Sequence, residues 1–437
     1  MTNPISERET LAQLDRDHLW RPYTSAEDHA SLRPIVVSRA EGPWIYDLNG
    51  DRFFDANGSW WCNNLGHCHP RLRAALNRQS EDLMHCAFAG MTHAPAVRVA
   101  EELVRVAPEG LSRVFYSDNG STAVEVALKM ALQFWQQNGH PERRKFLALP
   151  GAFHGDTVGA MSVSGLDEFC GAYESVLFNV ERAPNPDDAG GWEQVIDWMQ
   201  DLMRQPDHGI AAVIVEPMLQ GAAGMRLWPA ECLARLAEVA REAEVLLIAD
   251  EIFTGFGRTG EMWACDHAGV SPDILCTAKG LSGGMMPFAA TLATEQIYEG
   301  FRGGKTRALM HGHTFFGNAL GAAIALEVLT IYREERVIET AKVRAATIAD
   351  KFAELGERYP SSNARSLGVV GAMRLGSEGY FGGLGWQAYE EGLSQGVIMR
   401  PLGDTVYLCP PLNCSEDELN WLLEKFEKTV ESVLTRA

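Results

Sequence analysis

AAVIVEPMLQGAAGMRLWPAECLARLAEVAREAEVLLIADE, residues 211–251, sets two short apolar runs on either side of a segment with a different period. In AAVIVEP and EVLLIADE nearly every residue is apolar. In PAECLARLAEVAREA the apolar residues recur three and four apart, so strand, helix and strand are predicted in that order. Runs that are apolar on both faces belong to parallel strands covered by helices on either side. Ligands of such sheets gather beyond the strand C-termini, and there each run ends in an acid, Glu216 or Asp250. Either acid alone could cap the next helix; a buried pair calls for a cationic partner. A protonated pyridine nitrogen is such a partner, and an Asp beneath it keeps the ring an electron sink.

The same pattern continues outward. DILCTAKGLSGG, residues 273–284, ends an apolar strand on Lys279 and follows it with Gly280, Gly283 and Gly284. A lysine at such a strand end is desolvated, which favours the neutral amine able to form an imine with an aldehyde and to shuttle protons. Upstream, RVFYS and KFLAL read as further strands. SDNGSTAVEVALKMALQFW then passes from a strand end through Gly120, Ser121 and Thr122 into a long amphipathic helix. Free N–H groups at a helix start suit an anion, although Ser121 or Thr122 could simply cap the helix.

At 437 residues the chain exceeds one hydrophobic core, which stops growing at roughly 250–300 residues. The α/β pattern places a large domain with a mostly parallel sheet over residues 71–325. An N-terminal segment, residues 1–70, and a C-terminal part, residues 326–437, together form a smaller α+β domain. In the first, WIYDLNGDRFFDA predicts a hairpin with a type I′ turn at Asn49-Gly50. In the second, a long helical run over residues 319–355 precedes strands near VVGAMRL and TVYLCPP and a final helix.

Composition narrows the function classes. The formal charge of −20 repels polyanions, and no Lys/Arg-dense stretch offsets it, so nucleic acid is excluded as a partner. No stretch approaches the ~20 apolar residues of a membrane span, and the polar start lacks a signal peptide's apolar region. A cytoplasmic protein with reduced thiols is expected, its nine cysteines forming no CxxC pair. Cys62, His67, Cys68 and His69 match no zinc spacing, so no metal is expected.

With SDNGSTAVE, AFHGDTVGA, VEP at 215–217, ADEIFTGFGRTG, TAKGLSGG and HGHTFFGN in order, the chain resembles the class III aminotransferases nearly throughout. That resemblance implies fold type I and pyridoxal 5′-phosphate as cofactor. Lys279 is then the Schiff-base residue, Asp250 the pyridinium partner, Gly120 with Ser121 the phosphate cup and Phe153 the ring that stacks on the cofactor. Glu216 and His313 join the cofactor contacts, Gly312 the substrate contacts. Thr314 reaches the phosphate from the neighbouring subunit, which implies a homodimer with shared sites.

Within the family, HLWRPYT, NGSWW, CAFAGMTHAPA and MRPLGDTVYLCPP resemble the branch of biotin synthesis that aminates a keto-amino fatty acid. Trp60 and Trp61 would line the apolar chain and Arg400 would take its carboxylate. Tyr23 would lie over the reacting centre, with Phe153 and Lys279 beside it and Tyr407 among the substrate contacts. Two positions depart from this pattern. Phe153 stands where tyrosine is usual, and His313 leaves both S-adenosylmethionine and lysine open as amino donors. The competing enzymatic readings are a broad ω-amino acid or diamine:pyruvate aminotransferase and a semialdehyde aminomutase. A cofactor-binding regulator would need a DNA-binding module, and no helix-turn-helix precedes the domain.

Overall fold

The computed structural model describes residues 7–436; residues 1–6 of the expected N-terminal segment and residue 437 of the C-terminal part lie outside the described residues. Its main sheet has seven strands in the order Leu111–Ser117, Ala289–Thr294, Ile274–Thr277, Leu246–Asp250, Ile210–Val215, Lys145–Ala148, Glu181–Arg182. All neighbours pair in parallel except around Ala289–Thr294, which runs against both of its partners.

Ile210–Val215 is buried at every position because its side chains feed two different cores. Val213 and Val215 join the cluster that includes Leu233 and Leu236 of helix Ala230–Glu242, and Ala212 and Ile214 join that of helix Gly120–Gln137. Two covered faces are the reason the run shows no polar alternation. Helix Ala230–Glu242 carries the chain from Ile210–Val215 to Leu246–Asp250 with Ile248 beside Ile214, the crossover read from the sequence.

Both chain ends meet in a second sheet. Strands Val37–Glu41, Trp44–Asp47 and Arg52–Asp55 form an antiparallel run, and Val397–Ile398 pairs in parallel with the last of them. The connection at Asn49-Gly50 is not the two-residue type I′ turn. Only Gly50 has positive φ, +89°, and the loop spans Leu48–Asp51, where the Asp47 carboxylate accepts the N–H groups of Asn49 and Asp51. The long helical run also divides, into Ala319–Glu334 and Val337–Arg358. Arg336, at φ 50°, breaks it, and residue 325 lies inside the first of these helices.

Candidate active site

The C-terminal ends of Leu111–Ser117, Ile210–Val215, Leu246–Asp250 and Ile274–Thr277 share one sheet edge, and above it lies a cavity of about 600 Å³. Lys279 follows the last of these strands by two residues. Its Nζ stands 4.4 Å from the Trp61 ring centroid and 5.6 Å from that of Phe253. It makes no ion pair among the described residues. Burial lowers the Lys279 pKa, while Asp250 and Glu216 pull it back up; a neutral amine is therefore within reach at this position.

Asp250 is buried, with Oδ2 2.7 Å from Nδ1 of His154 and Oδ1 accepting the N–H of Ile252. Glu216 differs from it. Its Oε1 accepts the N–H of Phe153 and its Oε2 that of Gly221, each at 2.9 Å. Burial pushes its pKa up to about 7, against the lowering effect of His154. Glu216 thus clamps the loop that carries Phe153, while Asp250 closes the cavity floor with His154.

At the start of helix Gly120–Gln137 the Asn119 side chain accepts the Thr122 N–H, and Thr122 Oγ1 accepts that of Asn119. Capping therefore falls to Asn119 and Thr122, and Gly120 and Ser121, whose first-turn N–H groups have no intrahelical acceptor, line the cavity. The loop after Phe153 packs tightly on this turn. Asp156 N–H donates to Ser121 Oγ, and a Cβ on Gly155 (φ +127°) would fall 2.0 Å from that oxygen.

The opposite wall is aromatic. Trp60 is 44% exposed and has Arg400 5.0 Å from its ring, whereas Trp61 is buried and donates from Nε1 to the Tyr407 hydroxyl at 2.9 Å. Tyr407, 1% exposed and absent from the cavity lining, supports Trp61 from behind. Tyr23 packs edge-on against Trp60 and Phe169, and its hydroxyl donates to Asp156 at 2.5 Å. Arg400 makes no ion pair among the described residues, which leaves a cation at the cavity wall without an anion.

Gly312, His313 and Thr314 do not line this cavity in their own chain. Their loop is tied down by Lys129 Nζ, which donates to Met310 O, and by His313 Nδ1, 3.3 Å from Asp118. Sequence reasoning missed His154, Asp156, Phe169 and Tyr380. The first two stand in AFHGDT beside the chosen Phe153; Phe169 and Tyr380 reach the cavity from segments that carry no motif.

A buried amine, a strand-end acid with its imidazole, an aromatic ring and a helix N-terminus thus converge on one space. They answer, in turn, the aldehyde, ring nitrogen, ring face and phosphate of pyridoxal phosphate, so the residues present fit that group. Residues 24–430 match the family model for aminotransferase class-III. The adenosylmethionine-8-amino-7-oxononanoate aminotransferase of Geobacter sulfurreducens is 37% identical over 98% of this chain and 99% of its own. The crystal structure of the enzyme of that name from Methanocaldococcus jannaschii superposes with a TM-score of 0.92 at 33% identity, covering 98% of this chain and 99% of that one. The omega transaminase from Pseudomonas jessenii in complex with PMP gives 0.91 at 29% identity, over 97% and 98% of the two chains. On sequence, fold and the residues gathered around Lys279, this chain belongs to the class III aminotransferases.

Proposed function

We propose that this aminotransferase binds pyridoxal 5′-phosphate and converts 8-amino-7-oxononanoate to 7,8-diaminononanoate, the amination step of biotin synthesis, with S-adenosylmethionine as amino donor. The carrying observation is Arg400, a guanidinium without an anion, stacked on Trp60 at the wall of the cavity that holds Lys279. A carboxylate at one end of an apolar chain satisfies both groups. The relatives named for this reaction, matched over nearly their whole length, support the same substrate and donor.

When bound, the cofactor supplies an electrophilic carbon and an electron sink for the amino group in transit. Lys279 Nζ, its pKa lowered by burial, takes the α-proton of the donor and returns one to the acceptor carbon in the second half-reaction. Asp250, with His154 at 2.7 Å, would hold the ring nitrogen and keep it charged. Phe153, set by Glu216, would hold the ring, and the N–H groups of Gly120 and Ser121 would hold the phosphate. Trp60 and Trp61 carry the chain, while Tyr23 roofs the reacting end.

The same reading makes the enzyme a cytoplasmic homodimer. A second copy would bring its own Gly312–Thr314 loop to the phosphate and cover the apolar surface beside that loop, where Met310 is 77% and Phe315 55% exposed. Purified enzyme incubated with 8-amino-7-oxononanoate and, separately, S-adenosylmethionine, lysine or a diamine tests the assignment. Diamine product with S-adenosylmethionine is expected. Product with lysine alone corrects the donor, and no product with any of them sinks the reading.

A further inference from the structure

We infer that Tyr380, held in place by Asp404, is the specificity wall for the carbon chain of the acceptor; this rests on the substrate class proposed above. Tyr380 lines the cavity together with Arg400, although 19 residues of chain separate them. Its ring meets Phe169 edge-on at 5.0 Å, and Phe169 in turn meets Tyr23 at 5.4 Å and Phe153 at 5.5 Å. Phe169 and Tyr380 are both part-exposed. Phe153, Phe169 and Tyr380 form one apolar surface that Tyr23 joins to Trp60, and the cavity these rings line takes a medium-length aliphatic chain whose carboxylate ends on Arg400.

The segment carrying Tyr380, GSEGYFGGLG at residues 376–385, has only one 3-10 turn over Gly379–Phe381 before its helix begins. Its order comes from Asp404, which is 2% exposed and makes no ion pair among the described residues. Oδ2 of Asp404 accepts the N–H of Glu378 and Oδ1 that of Leu384, both at 3.1 Å, while its own N–H donates to Gly379 O. These three bonds go to the loop of Tyr380, and the Asp404 carbonyl accepts the N–H of Leu375 just before it. The two loops also pack closely on each other. A Cβ on Gly382 would lie 2.2 Å from the Asp404 carboxyl, and one on Gly385 1.9 Å from Gly403 O. Asp404 follows Arg400 by four residues on a turn closed by Leu402 and Thr405, so carboxylate clamp and apolar wall are one rigid unit. Asp404 is a positioning residue; Tyr380 is the one that meets substrate.

The test uses the holoenzyme and its Tyr380→Ala, Tyr380→Phe and Asp404→Ala variants. KM is measured for the keto-amino acid and for the donor, and the Kd of nonanoate, an unreactive nine-carbon carboxylate, is measured by calorimetry. Tyr380→Ala is expected to raise the acceptor KM and the nonanoate Kd roughly tenfold and to leave the donor KM unchanged. Tyr380→Phe should behave like the parent, and Asp404→Ala should repeat the selective loss. If donor and acceptor KM rise together, or if nonanoate binds Tyr380→Ala as tightly as the parent, the inference is overturned. Should Asp404→Ala fail to fold, Tyr380→Ala decides alone. A parent enzyme that forms no diamine with any donor overturns the functional reading instead, and the nonanoate titration still rules on Tyr380.

Discussion

Replacing Arg400 by methionine keeps most of the side-chain volume and removes the charge. In the substrate complex Arg400 would donate charge-assisted hydrogen bonds to a carboxylate, an interaction worth roughly 1.5–3 kcal/mol. The guanidinium is already oriented for this, because it stacks 5.0 Å from Trp60 and 5.8 Å from Trp386, so little ordering entropy opposes the contact. A loss of about 2–3 kcal/mol corresponds to a fall of roughly 30–150-fold in kcat/KM for 8-amino-7-oxononanoate. The methyl ester of the same substrate has no charge to lose and should react with parent and variant at similar rates. Steady-state assays of acid and ester on both proteins complete a two-by-two cycle. If Arg400→Met slows acid and ester equally, the guanidinium shapes the wall and reads no carboxylate, and the substrate assignment loses its main support.

Lys279→Ala should abolish turnover, and the purified variant should stay colourless after incubation with pyridoxal phosphate and desalting; retained activity refutes the role of its amine. Gly155→Ala forces a methyl to within 2.0 Å of Ser121 Oγ at a φ of +127°, so thermal stability should drop by about 1–3 kcal/mol and cofactor affinity should fall with it. An unchanged melting temperature would count against the packing of that loop. Glu251 is fully buried, and burial raises its pKa from the ordinary 4.5 to about 7. Between these values the unfolded chain releases the proton and the native one keeps it, so this group's contribution to stability is greatest below pH 4.5 and is lost as pH rises to about 7. Glu251→Gln, which can still serve the Cys265 N–H and the Thr254 hydroxyl, should flatten that part of the Tm profile; parallel profiles for parent and variant would contradict the raised pKa.

That Gly120, Glu216, Asp250 and Lys279 line one cavity was legible because the elements that carry them are local. Each of Gly120, Glu216, Asp250 and Lys279 sits within two residues of a strand end or at a helix start, and period alone locates those ends. One edge of one sheet then collects them, whatever the loops do. His154 escaped notice although it adjoins Phe153, since nothing in a linear motif says which neighbour turns inward to meet Asp250. The type I′ turn at Asn49-Gly50 failed for a related reason. The dipeptide favours that turn, but Asp47 two residues earlier captures two N–H groups with its carboxylate, and side-chain capture of the backbone overrides the local preference.

The substrate half could not be read the same way, because it depends on backbone that sequence patterns do not encode. Gly58, Ser59, Trp60 and Trp61 all have positive φ, at 56°, 45°, 64° and 74°. For residues other than glycine each such conformation costs roughly 1–2 kcal/mol, and runs of them are avoided. This turn survives through contacts from far along the chain. Ser59 Oγ donates to Asp55, which also holds His67 at 2.9 Å; Trp61 Nε1 donates to Tyr407; and Asn57 Nδ2 donates to Tyr407 O while its Oδ1 accepts the Arg400 N–H. The left-handed run is what turns consecutive tryptophans to different tasks, Trp60 toward Arg400 and Trp61 toward Lys279. A strained turn beside Lys279 is therefore the device by which Asn57, Tyr407 and Arg400, 350 residues apart at most, come to shape one wall.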